Sequence, residues 1–207
     1  MKSISLILLT VVLFLGGCSK DSEFNTAPNA PSATETQAAL NKQILAEIPD
    51  ALLKEIPENE RAEVRAGRLF IWYLQGQGDF PNPAGRCAPL LTVNITGTGI
   101  GTYIGRFTDE QSHCLNPATF EFVDGFAAFT SVRSDEQLFI NYWGTLAPTS
   151  DPTVLQINGN TTIDGGTGQF DGATGQGSAK GTLNVGTGEA QLVGVGRLDL
   201  DRVWAKE

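Results

Sequence analysis

The residues able to do chemistry in this chain are few. It carries three cysteines, Cys18, Cys87 and Cys114, and a single histidine, His113. Two cysteines and one histidine without C-x-x-C spacing make a poor zinc ligand set, so no metal is expected. His113 would act as base to a serine nucleophile, but the chain lacks a Gly-x-Ser-x-Gly elbow. Placed between Ser112 and Cys114, it reads as a loop histidine. The carboxylate pairs Asp109-Glu110 and Asp135-Glu136 are of the residue type that cleaves glycosides. Both fall in polar, turn-like stretches and read as solvated charge. Gly166-x-Gly168 begins like a dinucleotide fingerprint, yet Gly172 comes one residue late and no helical pattern follows. Asp164 and Asp171 belong to one imperfect copy of a calcium-type repeat, and such aspartates more simply solvate a glycine-rich turn. Trp72, Tyr73, Tyr142 and Trp143 either line a pocket or fill a core. No catalytic set and no cofactor site stands out.

The elements that would carry these residues begin with a targeting segment. Lys2 precedes an apolar run, residues 4–15, which ends in Gly16, Gly17 and Cys18. That is the order of a charged region, a short apolar region and a small-residue cleavage site. The run falls short of the about 20 apolar residues that a membrane span needs. Leu15-Gly16-Gly17-Cys18 resembles the bacterial lipobox. The resemblance implies cleavage before Cys18 and diacylglycerol on its sulfur, and a triacylated N-terminus exceeds the two signals that stable anchoring takes. Ser19 resembles the outer-membrane sorting signal. Ser19-Lys20-Asp21-Ser22-Glu23 is similar to the tract after the lipidated cysteine in surface lipoproteins of the Bacteroidetes group. The implied address is the bacterial outer membrane, on its periplasmic face or at the cell surface.

Charge and cysteine count agree with that address. The formal net charge of the 207-residue chain is -9; removing residues 1–17, which contain only Lys2, leaves -10. An acidic chain is a poor match for nucleic acid, where Lys and Arg neutralise phosphate, so the membrane contact falls to the lipid. With Cys18 acylated, Cys87 and Cys114 remain as an even pair in an oxidising compartment and are expected to form a disulfide.

Four segments follow: a signal peptide at 1–17, a flexible lipidated tether at 18–36, a helical segment at 37–68 and a β domain at 69–207. The tether is rich in Ser, Asn, Thr, Ala and Pro and has little apolar surface to offset ordering. Leu40, Ile44 and Ile48 share one helix face, and Pro49 ends that helix. These helices would seal one end of the domain or brace the tether. From residue 69 short apolar runs alternate with Gly- and Thr-rich turns. Candidate strands cover 69–74, 90–96, 102–108, 119–123, 126–132, 137–146, 154–163, 181–185 and 190–200, with Asp124-Gly125 and Asn158-Gly159 as bounding turn pairs. About eight short strands suggest an antiparallel barrel or sandwich, and closure would remove exposed edges.

Gly165-Gly166-Thr167-Gly168-Gln169-Phe170-Asp171-Gly172-Ala173-Thr174-Gly175 resembles a segment that turns a corner between two late strands in the allene oxide cyclase and dirigent-like barrels. Residues 101–108, Gly-Thr-Tyr-Ile-Gly-Arg-Phe-Thr, resemble an early-strand segment of the same families. The resemblance implies a mainly β fold: an eight-stranded antiparallel barrel with a central cavity, after a short helical segment and the tether. It also makes Arg106 and Asp171 the only residues in stretches that match the families' sites, as weak catalytic candidates. No segment near residues 87–96 matches the cyclases' early acidic cluster. The expected function is therefore a lipid-anchored barrel that binds a small apolar ligand or an envelope partner without transforming it. A cyclase- or isomerase-type enzyme and a purely structural surface module are the alternatives, and the interior volume separates them.

Overall fold

The computed structural model describes residues 33–66, 69–79 and 85–200. Eight strands follow three helices. The helices are α1 (Ala33–Glu47), α2 (Asp50–Leu53) and α3 (Glu58–Arg65). The strands are β1 (Phe70–Asp79), β2 (Leu91–Gly101), β3 (Gly105–Leu115), β4 (Glu121–Ser131), β5 (Gln137–Pro148), β6 (Val154–Gly166), β7 (Thr174–Asn184) and β8 (Glu189–Asp199). Each strand pairs antiparallel with the next, and β1 pairs with β8 to close the barrel. The signal peptide, Cys18 and most of the tether lie outside the described residues; the tether's last residues, 33–36, belong to α1. Among the described residues no helix is long and apolar enough to cross a membrane.

Strand periodicity divides the apolar residues into two cores. Residues i and i+2 share a face of a strand. Phe70, Trp72 and Leu74 of β1 point inward with Phe107 of β3, Phe129 of β4 and Leu192 of β8. Ile71 and Tyr73 point the other way, and with Ile100, Val193 and Val195 they form an apolar strip on the outer wall. The helices cover that strip with Ile44, Ile48, Leu52, Ile56 and Val64. They therefore lie against the side of the barrel over β1, β2 and β8 rather than across an end. The buried Asn41 side chain ties α1 to the wall: its amide donates to Val64 O at 2.7 Å, and Thr102 Oγ1 donates to its Oδ1 at 2.6 Å.

Several strand boundaries differ from expectation. The two strands expected at 119–123 and 126–132 are one, β4, and its register shifts between Phe122 and Gly125. Asp124, at φ 51°, is part of this bulge rather than a hairpin turn. Asn158-Gly159 lies within β6, and residues 102–104 form the turn between β2 and β3. The largest difference is that β3 runs from Gly105 to Leu115, straight through Asp109, Glu110 and His113. The glycine-rich segment forms the β6–β7 corner, with a 3-10 turn at Gly168–Phe170 that buries Phe170 in the barrel core.

Cys87 and Cys114 form a disulfide across a sequence separation of 27, with Cα atoms 5.2 Å apart. It pins the chain before β2 to the end of β3. Closing a loop of that length restricts the unfolded chain by roughly 3–4 kcal/mol in the entropic account. Replacing both cysteines by alanine should lower stability by about that amount in urea denaturation. An unchanged midpoint would mean that Arg86, which donates to Ser112 O and Asp124 O, already holds the loop.

Candidate functional site

The inward face of β3 carries the chemistry. The strand alternates Phe107, Asp109, Gln111, His113 and Leu115 toward the barrel axis, while Arg106, Thr108 and Glu110 face out. The inward row is apolar at both ends and polar in the middle. Opposite it, β5 supplies Tyr142 and β6 supplies Thr161.

Gln111, His113 and Leu115 of that row, with Tyr142 and Thr161, border a cavity of about 50 Å³. Its wall is mostly apolar, built by Trp72, Phe122, Phe129, Ile140 and Leu192 among others. Gln111, His113, Tyr142 and Thr161 give it one polar side. No lysine, arginine, aspartate or glutamate lines it. Glycines on the inner face let the large rings fit. A side chain at Gly194 would collide with the Trp72 indole, and one at Gly125 would collide with the Tyr142 ring. Small barrels fill their interior by setting large residues against small ones in this way. What remains is space for a few small atoms, since one water needs roughly 10–15 Å³.

The polar side is internally bonded. His113 Nδ1 and the Tyr142 hydroxyl are 3.0 Å apart, and the tautomer of the imidazole decides which of them donates. The His113 ring packs against Phe122 and Tyr142 at centroid distances of 5.2 and 5.7 Å. Burial lowers the His113 pKa to about 4, helped by the Arg86 charge, so the imidazole is neutral at pH 7. Burial also raises the Tyr142 pKa, and the neighbouring Asp109 adds to the effect.

Asp109 lies behind this row, one inward position beyond Gln111. Only 1 % of its surface is exposed. Gln111 Nε2 donates to its Oδ2 at 2.7 Å, while its Oδ1 is buried without a hydrogen-bond partner. Burial pushes its pKa up to about 7; the Gln111 hydrogen bond opposes this and Glu110 adds to it. A buried carboxyl with one free oxygen, whose charge is felt by the Tyr142 phenol, is a group poised between proton states near neutral pH.

The two catalytic candidates named from the sequence are elsewhere. Arg106 has outward parity on β3; its side chain is 70 % exposed and pairs with Glu47 of α1 at 3.4 Å. Asp171 is exposed in the β6–β7 corner. Neither reaches the cavity, because the alternation of β3 turns Arg106 out and the corner leaves Asp171 in solvent. Asp109 and His113, read as solvated charge and a loop histidine, are the residues inside. Trp72 and Tyr142 line the cavity, whereas Tyr73 packs under the helices and Trp143 is exposed on the outer face. The signal for the site was the period-2 row with apolar ends, Phe107 to Leu115. Its polar centre made it look like a turn.

Comparison with protein-family models, with curated proteins and with solved structures returns no match. Among the described residues no group of three or more His, Cys, Asp or Glu side chains is arranged to hold a metal ion.

Proposed function

We propose that this chain is a lipid-anchored exported barrel that binds a small apolar molecule inside the barrel, without transforming it. The observation that carries the reading is the cavity: a closed barrel whose aromatic rings leave apolar space bordered by a few uncharged polar groups. Binding sites of this kind are apolar with a small number of placed polar atoms. The cavity's size limits the occupant to a slim molecule or to one apolar end of a larger one. The disulfide supports export, and Leu15-Gly16-Gly17-Cys18 supports an acyl anchor in the outer membrane. The β6–β7 corner supports kinship with the allene oxide cyclase and dirigent-like barrels, since the segment stands where such a barrel turns.

A second reading, an isomerase- or cyclase-type enzyme, draws support from one observation. A raised carboxyl, Asp109, stands inside the barrel where its charge reaches Tyr142, and Tyr142 is in turn 3.0 Å from His113. In that reading these three residues, not Arg106 or Asp171, would move the proton.

Native mass spectrometry on the full chain, expressed with export and purified gently, tests the anchor and the ligand together. The expected chain mass is that of residues 18–207 plus acyl groups, with an extra mass that leaves on denaturation. A full precursor or an unacylated chain would remove the anchor. A bare mass after brief handling, together with no uptake of short apolar probes, would leave a barrel filled by its own side chains.

A further inference from the structure

The polar side of the cavity bears on what the ligand carries, an inference that rests on the binding reading above. We infer that the cavity selects a short apolar molecule bearing one uncharged polar group, an alcohol or a ketone, and rejects the carboxylate of the same skeleton.

Three observations lead there. First, the polar residues that line the space, Gln111, His113, Tyr142, Asn160 and Thr161, are all neutral, and no cation lines the wall. A carboxylate entering would be desolvated with no opposite charge to meet it, which is the costly case. Arg86 sends its charge as far as His113 and Tyr142, but its guanidinium is held by Ser112 O and Asp124 O at an exposed position outside the lining.

Second, the groups can both donate and accept. Gln111 uses one amide hydrogen on Asp109 Oδ2 and has a second. The His113–Tyr142 pair holds one proton in its 3.0 Å contact. With the proton on Nδ1, the Tyr142 hydroxyl is free to donate; with the proton on Nε2, the Tyr142 oxygen is free to accept. A hydroxyl or carbonyl can be met in either arrangement, and no net charge is buried.

Third, Asp109 stands behind Gln111 with its Oδ1 buried and unpartnered. Any anion in the cavity would approach this carboxyl. A carbonyl or hydroxyl would instead be met by the amide and phenol in front of it. A cationic ligand would use Asp109 as counter-ion, but Asp109 does not line the space, and pairing two desolvated charges there regains little of their hydration.

The test is a matched four-carbon series on the full chain in detergent, with detergent blanks: butanol, butanone, butyrate, butylamine and 1-chlorobutane. Binding is followed by NMR at the methyl groups of Ala127 and Ala179, which line the cavity and so separate entry into the barrel from uptake by micelles. Butanol and butanone are expected to bind about tenfold more tightly than butyrate and chlorobutane, the effect of one net hydrogen bond. Tyr142→Phe keeps the ring and should reduce the preference for butanol over chlorobutane to near unity. Equal binding of butanol and butyrate by the wild type would overturn the selectivity and leave the binding reading intact. Tightest binding by butylamine would also overturn it and make Asp109 the counter-ion of a cation. If no probe moves either methyl, the binding reading itself fails.

Discussion

Asp109→Asn should gain stability relative to the wild type as pH rises from about 4 to above 7, by on the order of 3–4 kcal/mol. The native carboxyl holds its proton up to about pH 7, whereas its ordinary value is 3.8. Between those values the folded state binds a proton that the unfolded state has released. Folding stability from this group is therefore greatest below about pH 4 and is lost as pH rises through 7. Asparagine is neutral throughout and escapes the loss. It also keeps an oxygen able to accept from Gln111, so the low-pH comparison begins near parity.

His113 gives this experiment a sharper signature. Its native value is about 4 against 6.5, so the unfolded state takes up a proton below pH 6.5 that the folded state refuses until about 4. That contribution to stability is present above 6.5 and lost as pH falls through 4. Between about pH 4 and 6.5 the Asp109 and His113 contributions slope in opposite directions and nearly cancel. In Asp109→Asn only the histidine slope remains, so stability should rise with pH across this window. Urea denaturation of both proteins at five pH values from 4 to 8 measures it. A constant difference between them would mean that Asp109 titrates normally, with water reaching its Oδ1.

Phe129→Ala should lower stability by about 3–5 kcal/mol, the range for removing a buried phenylalanine ring. The ring is 1 % exposed. It stacks on Phe107 with centroids 4.2 Å apart and receives the Trp72 ring edge-on at 5.2 Å. Removal would break both contacts and enlarge the cavity that Phe129 helps to line. An apolar cavity of about 150 Å³ is enough to hold benzene. The variant should therefore regain part of its lost stability in saturated benzene, while the wild type changes little. Thermal unfolding with and without benzene reads both effects. A loss below about 1 kcal/mol would show that Phe107 and Trp72 collapse into the gap, and the barrel would then have a softer interior than its glycine-to-ring packing suggests.

Much of the architecture was legible because it depends on local pattern. The face shared by Leu40, Ile44 and Ile48, the stop at Pro49 and the short turn from Asp50 were readable from spacing alone, and α1 and α2 follow them. The run of short alternating strands indicated a barrel or a sandwich. Strand β3 was not legible, because strand periodicity is weak evidence when the inward positions are polar. Asp109, Gln111 and His113 break the apolar alternation that marks a strand, and Asp-Glu and Ser-His are turn-like neighbours. The bulge at Asp124 misled for the opposite reason: Asp-Gly is a hairpin signature, and here it bends a strand that continues.

The sequence by itself determined where α1 stops, at Pro49, the pairing options of Cys87 and Cys114 once Cys18 is set aside, and a β domain rich in glycine corners; it placed the start of α1 four residues late, inside the stretch read as tether. These follow from neighbours along the chain, from turn chemistry and from counting. Tertiary structure alone decided that the strands close on one another and that Arg106 faces the helices. It also decided that Asp109, Gln111, His113 and Tyr142 meet inside. Which face of a strand is the interior is fixed only when the sheet closes. A shift of one residue would exchange Arg106 with Phe107 and Glu110 with Asp109. The same closure removes water from Asp109 and His113 and so moves their proton affinities in opposite directions.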